Sequence, residues 1–287
     1  SEFFQKSLNA IKSGVAQSFL SLDMIRSLPL KYPRQITTQQ RIASILSAYD
    51  DLIENNLKRI KLLEEIAQRT YEEWFVKFRI NGVQLEVGEN GLPEGWERKR
   101  LNEVVDIVSG YAFKSKEYIE DGSFKIVTIK NVQDGYFIPQ TTDTIETMPN
   151  NLKESQILKT GDFILSLTGN VGRTCMVYGD NFLLNQRVAK IVVKKTINNA
   201  FIYCLLRSRT TITNLENMSN GAAQQNLSPV NMGNMTIVFG NEKILLEYSQ
   251  KFNASLNLIC KLNLQNSLLR ESRDILLPRL MSGKVGV

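Results

Sequence analysis

Histidine is absent from this chain, and that omission removes most of the ways in which side chains activate a nucleophile or hold a metal. Without imidazole there is no Ser-His-Asp or Cys-His arrangement and no histidine metal site. The three cysteines, Cys175, Cys204 and Cys260, lie far apart, so neither zinc spacing nor a disulfide framework is written here. Gly169-x-x-Gly172 has the spacing of a cofactor loop, but it follows a strand-like run in a β-rich stretch and reads as a tight turn. Glu97-Arg98-Lys99 has the E-x-K spacing of some nucleases, yet no well-placed acid pair precedes it. The chemistry that remains is hydrogen bonding by polar residues in turns.

The elements that would carry those turns belong to a globular protein. The chain has 287 residues, of which 43% are hydrophobic and 22% charged, enough for one large or two modest domains. A net charge of +6 permits an anionic partner. No block is polybasic, so any nucleic-acid binding must come from a shaped surface. Apolar runs fall short of the roughly 18 residues of a membrane span and no signal segment opens the chain, which makes the cytoplasm the default compartment.

Residues 38–79 contain no Gly or Pro, and a heptad seam runs through Ile42, Leu46, Tyr49, Ile53, Asn56, Ile60, Leu63, Ala67, Thr70 and Trp74. Ile45, Leu52 and Ile66 form a second apolar row beside it. Thr37 with Gln40 predicts a capping box at the start. A second seam, Leu245, Tyr248, Phe252, Ser255, Ile259, Leu262, Asn266, Leu269, Arg273 and Leu276, is predicted to end at Pro278 and Gly283. The two helices are expected to bury their seams against each other, antiparallel.

Between them, residues 81–95 read as a Gly-rich linker or hairpin. Short apolar runs at 104–108, 124–129, 163–167, 174–178, 188–193 and 235–239 then predict strands, with a helix over 201–209. The chain also repeats itself: GVAQSFLS at 14–21 matches GAAQQNLS at 221–228, and the same offset aligns Asn56 with Asn263, a candidate partner for it across the helix pair. The repeating unit is a β-domain tail, a strand and a long helix. Its second copy alone has a whole domain.

These segments, in this order, resemble the DNA specificity subunit of type I restriction-modification systems. LPEGWERKRLNEVVDIVSGYAFKS at 92–115 looks like the opening of a target-recognition domain, GDFILSLTGNVGRTCMV at 161–177 and LLNQRVAKI at 183–191 like its middle, and GAAQQNLS like its end. QQRIASILSAYDDLIENNLKRIKLLEEIAQRTYEEWF at 39–75 looks like the conserved spacer helix, and LLPRLMSGKV at 276–285 like the usual C-terminus. The implied fold class is α+β: a β-rich recognition domain flanked by two long helices that form an antiparallel coiled coil. The implied division is a remnant of a first recognition domain at 1–37, a spacer helix at 38–80, a complete recognition domain at 81–240, and a second conserved helix with its tail at 241–287. A chain that begins near the end of its first recognition domain is the expectation.

The resemblance implies a non-catalytic reader of double-stranded DNA. It would recruit modification subunits, which methylate adenine with S-adenosylmethionine, and restriction subunits, which use ATP and magnesium. No cofactor is expected on this chain, and a homodimer through the helices is a further expectation. An assembly scaffold without DNA contacts is the alternative. The residues agree about catalysis, for there is neither an N-P-P-Y run nor a G-x4-G-K-[ST] loop. Base edges are read by amides and guanidiniums, while lysines and hydroxyls suit phosphates. The turn segments offer Tyr111, Lys114, Ser115 and Lys116; Lys130 and Asn131; Thr168, Asn170 and Arg173; Asn185, Gln186 and Arg187; and Ser219, Asn220, Gln224, Gln225 and Asn226. Each of these could equally be a solvated or turn-forming group, whereas polar loops gathered on strands make a recognition face.

Overall fold

A computed structural model describes residues 21–28, 32–219 and 226–286. The segment 1–20 and the candidates Asn220, Gln224 and Gln225 lie outside the described residues. A short helix α1 (Leu22–Arg26) is capped by Ser21, whose hydroxyl accepts from the Met24 N–H at 3.2 Å. Helix α2 (Ile36–Tyr71) begins slightly ahead of the expected capping box, and glutamines hold its start. Gln39 Nε2 donates to the Pro33 carbonyl at 2.7 Å, and the Gln39 N–H donates to the Gln35 carbonyl at 3.1 Å. The helix then widens into a π-helical turn, Glu72–Val76, which turns Trp74 and Phe75 inward.

The segment 81–95 opens with a hairpin of β1 (Arg79–Ile80) and β2 (Val83–Gln84). Asn81 and Gly82, both at positive φ, make its two-residue turn. The chain continues through β3 (Glu97–Arg100), the single turn α3 (Leu101–Val104), β4 (Val105–Ser109), β5 (Phe124–Val127), β6 (Val132–Gln133) and β7 (Tyr136–Phe137). Next come β8 (Thr144–Ile145), β9 (Ile157–Leu158), β10 (Phe163–Ser166), β11 (Thr174–Met176), β12 (Phe182–Leu184) and β13 (Val188–Val193). Helices α4 (Asn199–Leu206), α5 (Arg209–Ser219) and α6 (Pro229–Gly233), strand β14 (Thr236–Phe239) and helix α7 (Glu242–Met281) complete it. Every expected strand of the middle segment is present; β3, β6, β7, β8, β9 and β12 and the helices α3, α5 and α6 are additional. Pro278 does not end α7. Its missing N–H and its ring cost the bond to the Asp274 carbonyl, yet the helix runs on to Met281 before Gly283 breaks it at φ +71°.

The described residues fall into two compact units, one made of the chain up to Asn56 and from Gln265 onward, the other of residues 57–264. In the first, α2 and α7 run antiparallel, for their partner numbers fall along one helix as they rise along the other. Arg273 Nη1 reaches Asp50 Oδ1 at 2.6 Å, and Asn56 Nδ2 donates to Asn266 Oδ1 at 2.9 Å and to Gln265 Oε1 at 3.2 Å. The partner of Asn56 is therefore Asn266 rather than Asn263. Asn266, a seam position of α7, is the one that lies opposite Asn56.

In the central unit an antiparallel sheet, β11-β10-β13-β4, faces a second sheet, β8-β5-β12-β9, in which β5 and β12 run parallel. Ile164, Cys175 and Val188 from the first sheet meet Val127, Phe182 and Leu184 from the second in one apolar cluster between them. The alternate residues, Phe163, Leu165, Ala189 and Ile191, join the main core with α4 and the long helices. Both faces of β10 are thus covered, which is why its sequence is a continuous apolar run. The far side of the second sheet is covered by Phe113, with Tyr111 and Tyr118 beside it. Phe75 lies where the layers meet, its ring centroid 4.7 Å from Phe201, 5.2 Å from Tyr248 and 5.5 Å from Trp96. Tyr248, buried nearby, donates its hydroxyl to the Ala67 carbonyl at 2.8 Å.

Candidate nucleic-acid interface

Turns that are far apart in the chain are tied together by backbone hydrogen bonds in the central unit. The Tyr111 N–H donates to the Leu184 carbonyl at 2.8 Å, and the Gln186 N–H donates to the Tyr111 carbonyl at 2.9 Å. That approach requires glycine at 110, where a Cβ would run into the Asn185 carbonyl. The Arg187 carbonyl accepts from the Leu167 N–H at 2.9 Å, and the Leu167 carbonyl accepts from the Leu227 N–H at 2.8 Å. Thr168 and Asn226 form a β-bridge there. Ile129 packs beside Gly169, which brings the turn holding Lys130 alongside. Tyr111, Lys130, Thr168, Gln186, Arg187 and Asn226 are therefore carried on neighbouring turns.

Their side chains are not equivalent. Gln186, Arg187, Lys130, Asn170 and Asn226 are exposed. Lys114, Ser115 and Lys116 are exposed too, just beyond the buried anchor Phe113, in a 3-10 turn spanning Ser115–Glu117. Asn131, Asn185 and Ser219 are buried, and each is engaged within the fold. Asn131 Oδ1 accepts from the Thr128 N–H at 2.9 Å while its Nδ2 donates to the Ile138 carbonyl at 2.8 Å. Asn185 Oδ1 accepts from the Arg187 N–H at 3.2 Å, shaping the turn that presents Gln186 and Arg187. Ser219 Oγ donates to the Glu216 carbonyl at 2.7 Å. Arg173 is half-buried, its Nη1 donating to Gln133 Oε1 at 2.5 Å. The Tyr111 hydroxyl donates to Asn151 Oδ1 at 2.8 Å. Gln133 and Asn151 were not singled out from the sequence, because each lies 40 residues from its partner in loops with no distinguishing pattern.

No thiol is available on this face. All three cysteines are buried, and burial pushes the Cys260 thiol up to about 11 and that of Cys204 up to about 12. No cluster of metal-ligating side chains occurs among the described residues. The chemistry of the face is donation and acceptance of hydrogen bonds by amides and a guanidinium, with lysines at its margin.

A family model described as the type I restriction modification DNA specificity domain matches residues 2–65 and 93–242, well over half of the chain. The chain belongs to this family. As a type I specificity protein it is a DNA-recognition subunit rather than an enzyme. The HindI specificity subunit of Haemophilus influenzae is 24% identical over 328 residues, covering 93% of this chain and 71% of that protein. The MjaIX specificity subunit of Methanocaldococcus jannaschii is 26% identical over 288 residues, 98% of this chain and 66% of its own. The solved type I restriction-modification S subunit from M. genitalium shares the fold, with a TM-score of 0.55 at 17% identity over 98% of this chain and 70% of that one.

Proposed function

We propose that this chain reads one half-site of an interrupted DNA target through the turns of residues 110–226 and directs adenine methylation by partner subunits to it. The supporting observation is the joining of the Tyr111, Thr168, Asn185–Arg187 and Asn226 turns by backbone bonds, which holds amides and a guanidinium as one exposed set. Such groups make two-pronged contacts to base edges, and Lys114, Lys116 and Lys130 suit phosphates beside them. Partner binding falls to the helices. Ile45, Leu52 and Ile66, the row beside the seam, are exposed on α2 and supply apolar surface for a modification subunit. S-adenosylmethionine belongs on that subunit, and ATP with magnesium on a restriction subunit. The setting is cytoplasmic; no helix among the described residues is long and apolar enough to cross a membrane. Two copies, joined through their helices or by the modification subunits, would read a two-fold symmetric target.

Methylation of a random DNA library by the chain reconstituted with its modification subunits, followed by mapping of the modified adenines, tests this reading. A palindromic target with a fixed spacer is expected. An asymmetric bipartite target would overturn the half-site reading, and methylation without sequence preference would favour an assembly scaffold.

A further inference from the structure

Outside the candidate face, Arg207 anchors a polar cluster at the edge of the central unit, with Arg207 and Glu64 mostly buried and Asp134 more than half exposed. It lies at the junction of α4 and α5, where its Nη1 pairs with Glu64 Oε1 on α2 at 3.1 Å and donates to the Tyr203 hydroxyl at 3.3 Å. Its Nε donates to Asp134 Oδ1 at 3.1 Å, and the Tyr203 hydroxyl donates to Glu64 Oε1 at 3.2 Å. Gly135, at φ +71°, lies against the guanidinium so closely that a Cβ would run into it. Asp134 and Gly135 are the turn of the β6–β7 hairpin. From that hairpin Gln133 accepts from Arg173, and the Gly135 N–H donates to the Thr174 carbonyl at 2.8 Å. One guanidinium thus stands a single contact from the spacer helix and two from the Thr168–Arg173 turn.

We infer that Arg207 is a positioning residue for target recognition: it holds the β6–β7 hairpin, and through Gln133 the Arg173 turn, in fixed register against Glu64 of the spacer helix. The inference rests on the DNA-recognition reading above. A buried ion pair adds little net stability, because desolvation cancels much of its attraction. A planar fork that engages a carboxylate, a second carboxylate and a hydroxyl instead fixes three elements in one geometry. Base contacts are sensitive to such placement, since hydrogen bonds weaken steeply with distance and angle.

The test uses Glu64→Gln and Asp134→Asn, singly and together, and Arg207→Lys, which keeps the charge and loses the fork. Each variant is assembled with the modification subunits, and methylation is compared on the cognate duplex and on duplexes with one altered base. The cognate-to-altered ratio is expected to fall about tenfold in each single variant, the size of one lost base contact. The double variant should fall no further than the worse single one, as for groups acting through one partner. Melting temperature is expected to fall in Glu64→Gln, because the guanidinium loses its largely buried counter-charge, while the complex should keep its mass and the loss of ratio should exceed any uniform loss of activity. An unchanged ratio would overturn the inference. So would an equal loss on every duplex that tracks a fall in melting temperature, which marks a purely structural arginine. A wild-type complex with no sequence preference would instead overturn the DNA-recognition reading and take this inference with it.

Discussion

The seams of the long helices and the turns of the β domain are both rich in residues that the sequence marks out, yet they differ in how those residues are used. Of the seam positions on α2 and the π-helical turn after it, Ile42, Ile53, Asn56, Ile60, Ala67 and Trp74 are buried and the rest are half-buried; the seam of α7 follows the same rule. The marked polar residues of the turns divide. Gln186 and Arg187 face solvent while Asn185, their neighbour, is buried in service of the backbone. An apolar residue on the seam itself is buried or half-buried, while Ile45, Leu52 and Ile66, at the same spacing one row over, stay exposed. A polar residue in a turn has two outcomes, and the choice depends on which distant backbone groups arrive beside it.

The largest test of that contrast is Phe75→Ala. This ring lies where the long helices meet the β domain, and its removal should cost about 3–5 kcal/mol in urea denaturation. A loss under about 1 kcal/mol would mean that the domain core does not depend on the helices. Next in size is Asn56→Leu. Asn56 is the donor to Asn266 Oδ1, and Asn266 Nδ2 has no partner among the described residues, so the single change strands a buried amide. It should cost about 1–3 kcal/mol. The pair Asn56→Leu with Asn266→Leu should recover that loss while loosening register, read as mixed oligomeric states by light scattering.

On the turn side, Gln186→Ala and Arg187→Ala should each reduce discrimination between target and altered DNA by about 1–3 kcal/mol. Because both side chains are exposed, melting should scarcely change; a large fall in melting temperature would place them with the seam residues. Leu52→Glu sharpens the contrast from the helix side. Leu52 is 49% exposed, so stability should stay within about 0.5 kcal/mol while binding of the modification subunit is lost, as measured by the mass of the mixture.

The smallest effect is a pH slope. Burial raises the pKa of Glu64 above the ordinary carboxylate value, against the pull of Arg207. The folded chain then binds that proton more tightly than the unfolded chain. The contribution is fully present below the unfolded pKa and is lost as pH rises through the folded one. Glu64→Gln should flatten that part of the stability profile in denaturation measured across the acid range. An unchanged profile would show that Glu64 does not titrate there.

Both long helices, the strands at 105–109, 124–127, 163–166 and 188–193, and the absence of histidine chemistry were legible in the sequence, because each follows from local spacing or residue type. The short strand β12 was not, since its three apolar residues carry no period; the parallel pairing with β5 makes it a strand. Pro278 does not mark the end of α7, because one lost bond does not offset the rest of the helix's contacts and the chain breaks only at Gly283. The pairing of Asn56 with Asn266, the closure of Gly110 onto Asn185, and the clamp of Arg207 on Glu64 and Asp134 were decided by tertiary structure alone. Each joins groups dozens to hundreds of residues apart, and hydrogen bonds at that range leave no periodic trace in a chain. What the sequence by itself determined is which surfaces are apolar and where the chain turns; which turn meets which, and so which polar groups remain free for a partner, came only with the packing of the layers.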